Sequence, residues 1–184
     1  MTVVAVAVGK SNKLKSWEEV RRYQNPELLF AFERKLMISS SEASELFYDL
    51  KHYLWLSAFR INEYEAGHAP TSLLRIDQDL WLVDEAWHLF LQFSKDYQSF
   101  CEENFGFFLH HAPVTERERE NNRIAHARNP ELFESEKRAE YKEMLSWIYD
   151  HAGPETVKRW FLEGTFRQEE NLSLSNNPNN QIAK

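Results

Sequence analysis

SSSEASELFYDLKHYLWLSAFRI, residues 39 to 61, is the stretch whose reading decides the fold class. Ser39 with Glu42 three residues on has the form of a capping box, in which the serine accepts from the first turn and the glutamate reaches back to the serine's own backbone. Behind it Ala43, Leu46, Phe47, Leu50, Leu54, Ser57, Ala58 and Ile61 recur at intervals of three and four, the period of one buried helix face. On this reading His52 falls on the polar face. The stretch predicts a long amphipathic helix, which needs other helices to cover its apolar side.

Working outward, Asn25-Pro26-Glu27 carries a capping residue, a proline at the first helical position and an acid in the first turn, and predicts a helix to about Met37. Val3 to Val8 alternates valine with alanine and reads as a short strand or an extended arm. On the other side Gly67-His68-Ala69-Pro70-Thr71 breaks the helical pattern, because the residue before a proline avoids helical angles. A new helical region starts near Asp77 or Asp79, with Val83, Ala86, Trp87, Phe90 and Leu91 as its apolar stripe. Ser94 is placed to cap a following helix that ends at Asn104, with Gly106 as a left-handed stop. Thr115 to His126 is densely charged and reads as a solvated helix or loop. Asn129-Pro130-Glu131 repeats the earlier start signal and opens a long helix to about His151, with Leu132, Phe133, Tyr141, Met144, Leu145 and Ile148 on its apolar side. Gly153-Pro154 stops it, and Val157, Trp160 and Phe161 suggest a short closing helix. The expected architecture is all-α, a compact multi-helix bundle with a short N-terminal strand or arm. Residues 1–163 are expected to form a single helical domain, and 164–184, rich in Asn, Ser, Gln and Glu, a flexible polar tail.

Composition narrows the function classes. Thirteen Phe, seven Tyr and six Trp against five Gly suit a packed helical core better than a turn-rich β-sandwich. A net charge of -7 argues against a phosphate-backbone binder, since that affinity comes from clustered Lys and Arg. Nucleic acid is therefore not an expected partner. One cysteine excludes an internal disulfide, no apolar run approaches the roughly 20 residues needed to cross a bilayer, and the opening residues lack the charged start of a secretory signal. The expected address is the cytoplasm, away from any membrane. Glycine-rich phosphate loops and solenoid-period repeats are not seen.

The chemistry gathers in Val83-Asp84-Glu85-Ala86-Trp87-His88 and the residues that follow through Tyr97, Cys101 and Gly106 to Leu109-His110-His111. Asp84 and His88 are four apart, so on a helix they sit one above the other, with Cβ atoms about 5–6 Å apart. Imidazole and carboxylate together suit zinc, iron or manganese, and a third ligand from His110 or His111 completes one face while leaving positions open. If that pair is extended its side chains point to opposite sides, so only one of the two enters the site. Read otherwise, Asp84 complements the helix dipole and His88 is a core histidine bonded to a carbonyl. Cys101, with Tyr97, Phe100 and Phe105 at helical spacing, reads as packing. Tyr97 is a candidate to orient a substrate or donate a proton, and otherwise a core residue. His52, His126 and His151 read as structural or solvated, and the Glu116 to Glu120 run as a solvent-facing set of charges.

These residues resemble the signature of the glycine-rich domain-containing protein-like family, a domain of unknown function. The likeness covers chiefly residues from about 40 to 113 and rests on the D-x-x-W-H, F-G and H-H combination. It implies a helical domain and points to Asp84, Trp87, His88, Tyr97, Cys101, Gly106, His110 and His111 as motif positions, without an established reaction. The chain lacks the glycine-rich region that gives that family its name. Two expectations follow: a metal-dependent hydrolase or oxygenase holding its ion on Asp84, His88 and His110 or His111, or a noncatalytic module whose polar cluster is structural and whose surface meets a protein partner.

Overall fold

The computed structural model describes residues 3–8, 14–72, 74–76 and 78–163, with side chains described from Leu14 onward except that of Gln78. The expected tail 164–184 lies outside the described residues, as does Asp77. In chain order the elements are β1 (Val3–Val8), α1 (Trp17–Val20), α2 (Pro26–Leu36), α3 (Ser40–Glu65), a 3-10 turn (Gln78–Leu80), α4 (Trp81–Gln92), α5 (Ser94–Asn104), β2 (Phe108–Pro113), α6 (Glu116–Arg128), α7 (Pro130–Ala152), α8 (Pro154–Val157) and a wide π turn (Lys158–Leu162). The fold is helical, with one antiparallel β1–β2 ribbon whose register sets Ala5 opposite His111 and Val6 opposite His110.

The helix starts follow from side chains that satisfy first-turn amides. Asn25 accepts from the Leu28 amide at 3.0 Å, and Asn129 accepts from the Leu132 amide at 3.1 Å. The capping box at Ser39 is complete, with Oε2 of Glu42 2.7 Å from the Ser39 amide. Two further boxes, at Ser16 with Glu19 and at Thr115 with Glu118, open α1 and α6. Such caps contribute on the order of 1 kcal/mol each. α2, α5 and α7 stop at or next to residues with left-handed φ: Met37 at 57°, Gly106 at 77° and Gly153 at 81°. At Gly106 and Gly153 the missing Cβ removes the strain of that conformation. Ser94 departs from expectation: it is the first residue of α5 and makes no capping bond, because Phe93 occupies the cap position. The junction of α4 and α5 is therefore held by packing.

α3 is the central helix and packs against α2, α4 and α7. Its burial extends well beyond one stripe, taking in Asp49, Lys51, His52 and Arg60. His52 is thus not on a polar face. Its ring stacks on Trp17 at 4.3 Å and meets Trp160 edge-on at 5.6 Å, because α1 and the closing turn cover the side of α3 that periodicity assigns to water. Lys51 donates from Nζ to the carbonyls of Arg21 and Tyr23, both at 2.8 Å, closing the end of α1. Between α3, α4 and α5 the core is aromatic: Phe47 and Phe90 meet at 6.1 Å, Phe90 and Tyr97 at 5.1 Å, and Phe100 and Phe105 at 5.3 Å, all edge-to-face. Pairs in this geometry add about 0.5–1.5 kcal/mol beyond their buried area.

α6 is a helix with no buried residue, and in α7 burial begins at Met144, continuing at Trp147 and Ile148. Leu132, expected on the apolar side of α7, is exposed, because the first half of α7 pairs with α6 outside the core. In α4 Leu91 is only partly buried, while Leu82 and Leu89 are buried.

Candidate metal centre

α4 carries Asp84 in its first turn and His88 one turn later, on one face as their spacing requires. β2 supplies the third group. Its extended backbone alternates sides, so Leu109 is buried in the core, His110 is exposed, and the His111 side chain turns inward at 6% exposure. The expectation that only one of the adjacent histidines reaches the site therefore resolves to His111. His110 lies on the other side, its ring against Phe108 at 4.7 Å.

The three groups meet at close range. His111 Nε2 is 2.9 Å from Asp84 Oδ1, and His88 Nδ1 is 3.8 Å from Asp84 Oδ2, so each carboxylate oxygen faces one imidazole. The rings of His88 and His111 lie 4.4 Å apart, and one donor atom from each of the three residues falls within 4.8 Å of the others. Ligands held at about 2.0–2.2 Å from one ion sit roughly 3–3.5 Å from each other. The 2.9 and 3.8 Å contacts of Asp84 bracket that spacing, while the widest donor separation, up to 4.8 Å, has to close for one cation to be shared. Asp84 is 10% exposed and His88 42%, which makes the cluster closed on the β2 side and open on the His88 side.

A buried hydrogen-bond chain holds β2 in this register. Trp87 Nε1 donates to the Tyr97 hydroxyl at 3.0 Å, and Tyr97 donates to the Leu109 carbonyl at 2.6 Å, joining α4, α5 and β2. Burial raises the Tyr97 phenol well above its ordinary range, so the hydroxyl stays protonated and able to donate. Two residues beyond Leu109, His111 rests with its ring edge-on to Trp87 at 4.4 Å. Tyr97, read from sequence as a candidate proton donor, is buried with both bonds of its hydroxyl directed to protein groups. Cys101 is buried as well, and its thiol is pushed up to about 11 by burial, which makes it a poor nucleophile or ligand.

Glu85 is the residue that sequence reading passed over. It is half-exposed, and its Oε1 lies 3.9 Å from His88 Nδ1. Its place three residues before His88 is the signal that was available. Among the remaining histidines, His68 lies 3.6 Å from Glu63, His126 3.8 Å from Glu134, and His151 is stacked on Trp147 at 4.3 Å. None of these three belongs to the cluster.

Fold and site together define a helical protein in which a carboxylate and two imidazoles converge at the junction of a helix and a strand. Residues 69–129 match the model of an uncharacterised protein family described as UCP032817-like, a span that contains Asp84, His88, His110 and His111. The match is consistent with a domain of unknown function; it does not reach residues 40–68 of the likeness drawn from sequence, and nothing in it carries the glycine-rich domain name. No curated protein and no solved structure matches the chain.

Proposed function

We propose that the chain binds one divalent transition-metal ion on Asp84, His88 and His111 and uses it to activate water in a hydrolytic reaction. The observation that carries the reading is the convergence of the three donor groups within 4.8 Å. Two imidazoles and one carboxylate are a donor set that zinc, iron and manganese accept, and three protein ligands leave positions for water and substrate. The open positions fall on the side of half-exposed His88, whose Nδ1 lies 3.8 Å from Asp84. Such an ion, when bound, would supply a water acidic enough to lose its proton near neutral pH. The Glu85 carboxylate, on the same open side, is placed to accept that proton.

The same donor set suits an Fe(II) oxygenase, so the identity of the metal decides between hydrolysis and dioxygen chemistry. A noncatalytic reading rests on a different observation. The mostly buried Asp84–His111 bond ties α4 to β2 without any ion, as a structural latch in a module that meets a protein partner would. Kinship with the glycine-rich domain-containing protein-like family is proposed on the motif positions alone, and a cytoplasmic address on the single cysteine, which forms no internal disulfide.

Cobalt(II) titration followed by visible absorption tests the site. The full chain is expected to bind about one equivalent, with bands reporting an N/O donor set. His110→Ala is expected to leave that binding unchanged, and His88→Ala to remove it while the protein stays folded, since the His88 side chain is partly exposed. Equal cobalt binding by wild type and His88→Ala would overturn the assignment.

A further inference from the structure

A cleft of about 700 Å³ lies between α3, the loop after it and α7, and none of its lining residues belongs to the metal cluster. This volume is in the range of about 300–1,000 Å³ typical of small-molecule sites. Arg60 lines it from α3 with a side chain at 0% exposure. Arg60 Nε donates to the Thr71 carbonyl at 3.1 Å and Nη2 to Glu143 at 2.6 Å, while the guanidinium lies 4.9 Å from the centre of the Trp147 ring. Nη1, shielded from solvent, has no hydrogen-bond partner. A buried donor without a partner is costly in an unliganded protein and is relieved by an acceptor.

The charges on the walls point the same way. Arg75 and Lys137 share one carboxylate, Glu140, at 3.2 and 2.9 Å, and Arg60 takes Glu143. Three cations thus face two carboxylates, leaving one positive charge uncompensated on the walls of a chain whose net charge is -7. Pro70, Ala139 and Met144 supply apolar wall. A guanidinium fork matches the paired oxygens of an acidic group, and an apolar wall matches a hydrocarbon or ring.

We propose that this cleft binds a small amphipathic organic anion, its acidic head drawn to Arg60 and its apolar body along Pro70, Ala139 and Met144. Because the Arg60 side chain is fully buried behind its pair with Glu143, binding of the anion requires the partly exposed Glu143 to turn outward. The proposal is independent of the metal reading.

Calorimetric titration of the full chain with octanoate, and in parallel with octylammonium, tests it. Saturable one-to-one binding of octanoate and none of octylammonium is expected. Ala139→Trp, a filling substitution at an exposed position of α7, is expected to weaken octanoate by about tenfold or more with an unchanged melting temperature. Arg75→Gln combined with Lys137→Gln leaves one cation against two carboxylates and is expected to weaken it similarly. Titration of His88→Ala separates the cleft from a carboxylate bound at the metal centre, and unchanged octanoate binding there is expected. Absence of saturable binding, equal binding of octylammonium, undiminished binding by Ala139→Trp, or loss of binding in His88→Ala would each overturn the proposal.

Discussion

Asp49 and His52, one turn apart at most on α3, carry opposite proton linkages. Burial pushes the Asp49 carboxyl up to about 6 despite its bonds from Arg159 and from Trp160 Nε1, the latter at 2.9 Å. Burial, helped by the Arg159 charge, holds His52 down to about 4. With its folded value raised above the ordinary 3.8, Asp49 binds its proton more tightly when folded, so its contribution to stability grows as pH falls from about 6 to about 4. With its folded value below the ordinary 6.5, His52 binds its proton less tightly when folded, so its contribution is present above about 6.5 and is lost as pH falls toward about 4. Each amounts to about 3 kcal/mol at its limit, and in the wild type the two nearly cancel. Denaturant melts from pH 7 to pH 4 should show His52→Gln gaining stability relative to wild type and Asp49→Asn losing it. Parallel pH profiles for all three proteins would contradict this. None of it was legible in sequence, because a three-to-four-residue period marks one buried face and is silent about how far burial wraps around a central helix. Asp84 and His88 were legible, since their spacing alone places them together; reading β2 as extended gave only that one of His110 and His111 enters the site, and which of the two is settled by the fold.

At the scale of elements, the starts and stops were the readable part. Asn25, Ser39 and Asn129 cap as their types predict, and Gly106 and Gly153 end helices where left-handed backbone is needed. Ser94 did not follow, because a capping residue needs a free first turn and Phe93 takes that position. The register of β2 against α4 is a tertiary fact that no local pattern encodes, and it depends on the Trp87–Tyr97–Leu109 chain. Tyr97→Phe tests that dependence. It leaves a buried indole N–H and a carbonyl without partners, which should cost about 1–3 kcal/mol in thermal or denaturant melts. By loosening β2 it should also weaken metal binding about 10-fold to 100-fold, the effect typical of groups that orient ligands. A stability loss with unchanged metal affinity would show that His111 is held in place by other contacts.

Across the whole molecule, composition predicted a packed helical fold rich in aromatics; that the aromatic core runs from α3 through α4 to α5 is visible only in the structure. Among the described residues no helix is long and apolar enough to cross a membrane, as the hydropathy pattern implied. The cleft above Arg60 was invisible in sequence because its walls come from residues far apart in the chain. The Asp84–His88–His111 cluster, by contrast, draws all its groups from one segment of α4 and one of β2, within the span that matches the UCP032817-like family. That placement makes the central claim simple to test. The most direct measurement is elemental analysis of the full chain, prepared without an affinity tag or chelator, beside the His88→Ala variant. The account predicts about one zinc, iron or manganese ion per chain in the wild type and its loss from a variant that remains folded. Metal-free wild type under metal-replete growth, or the same metal content in both proteins, would contradict it.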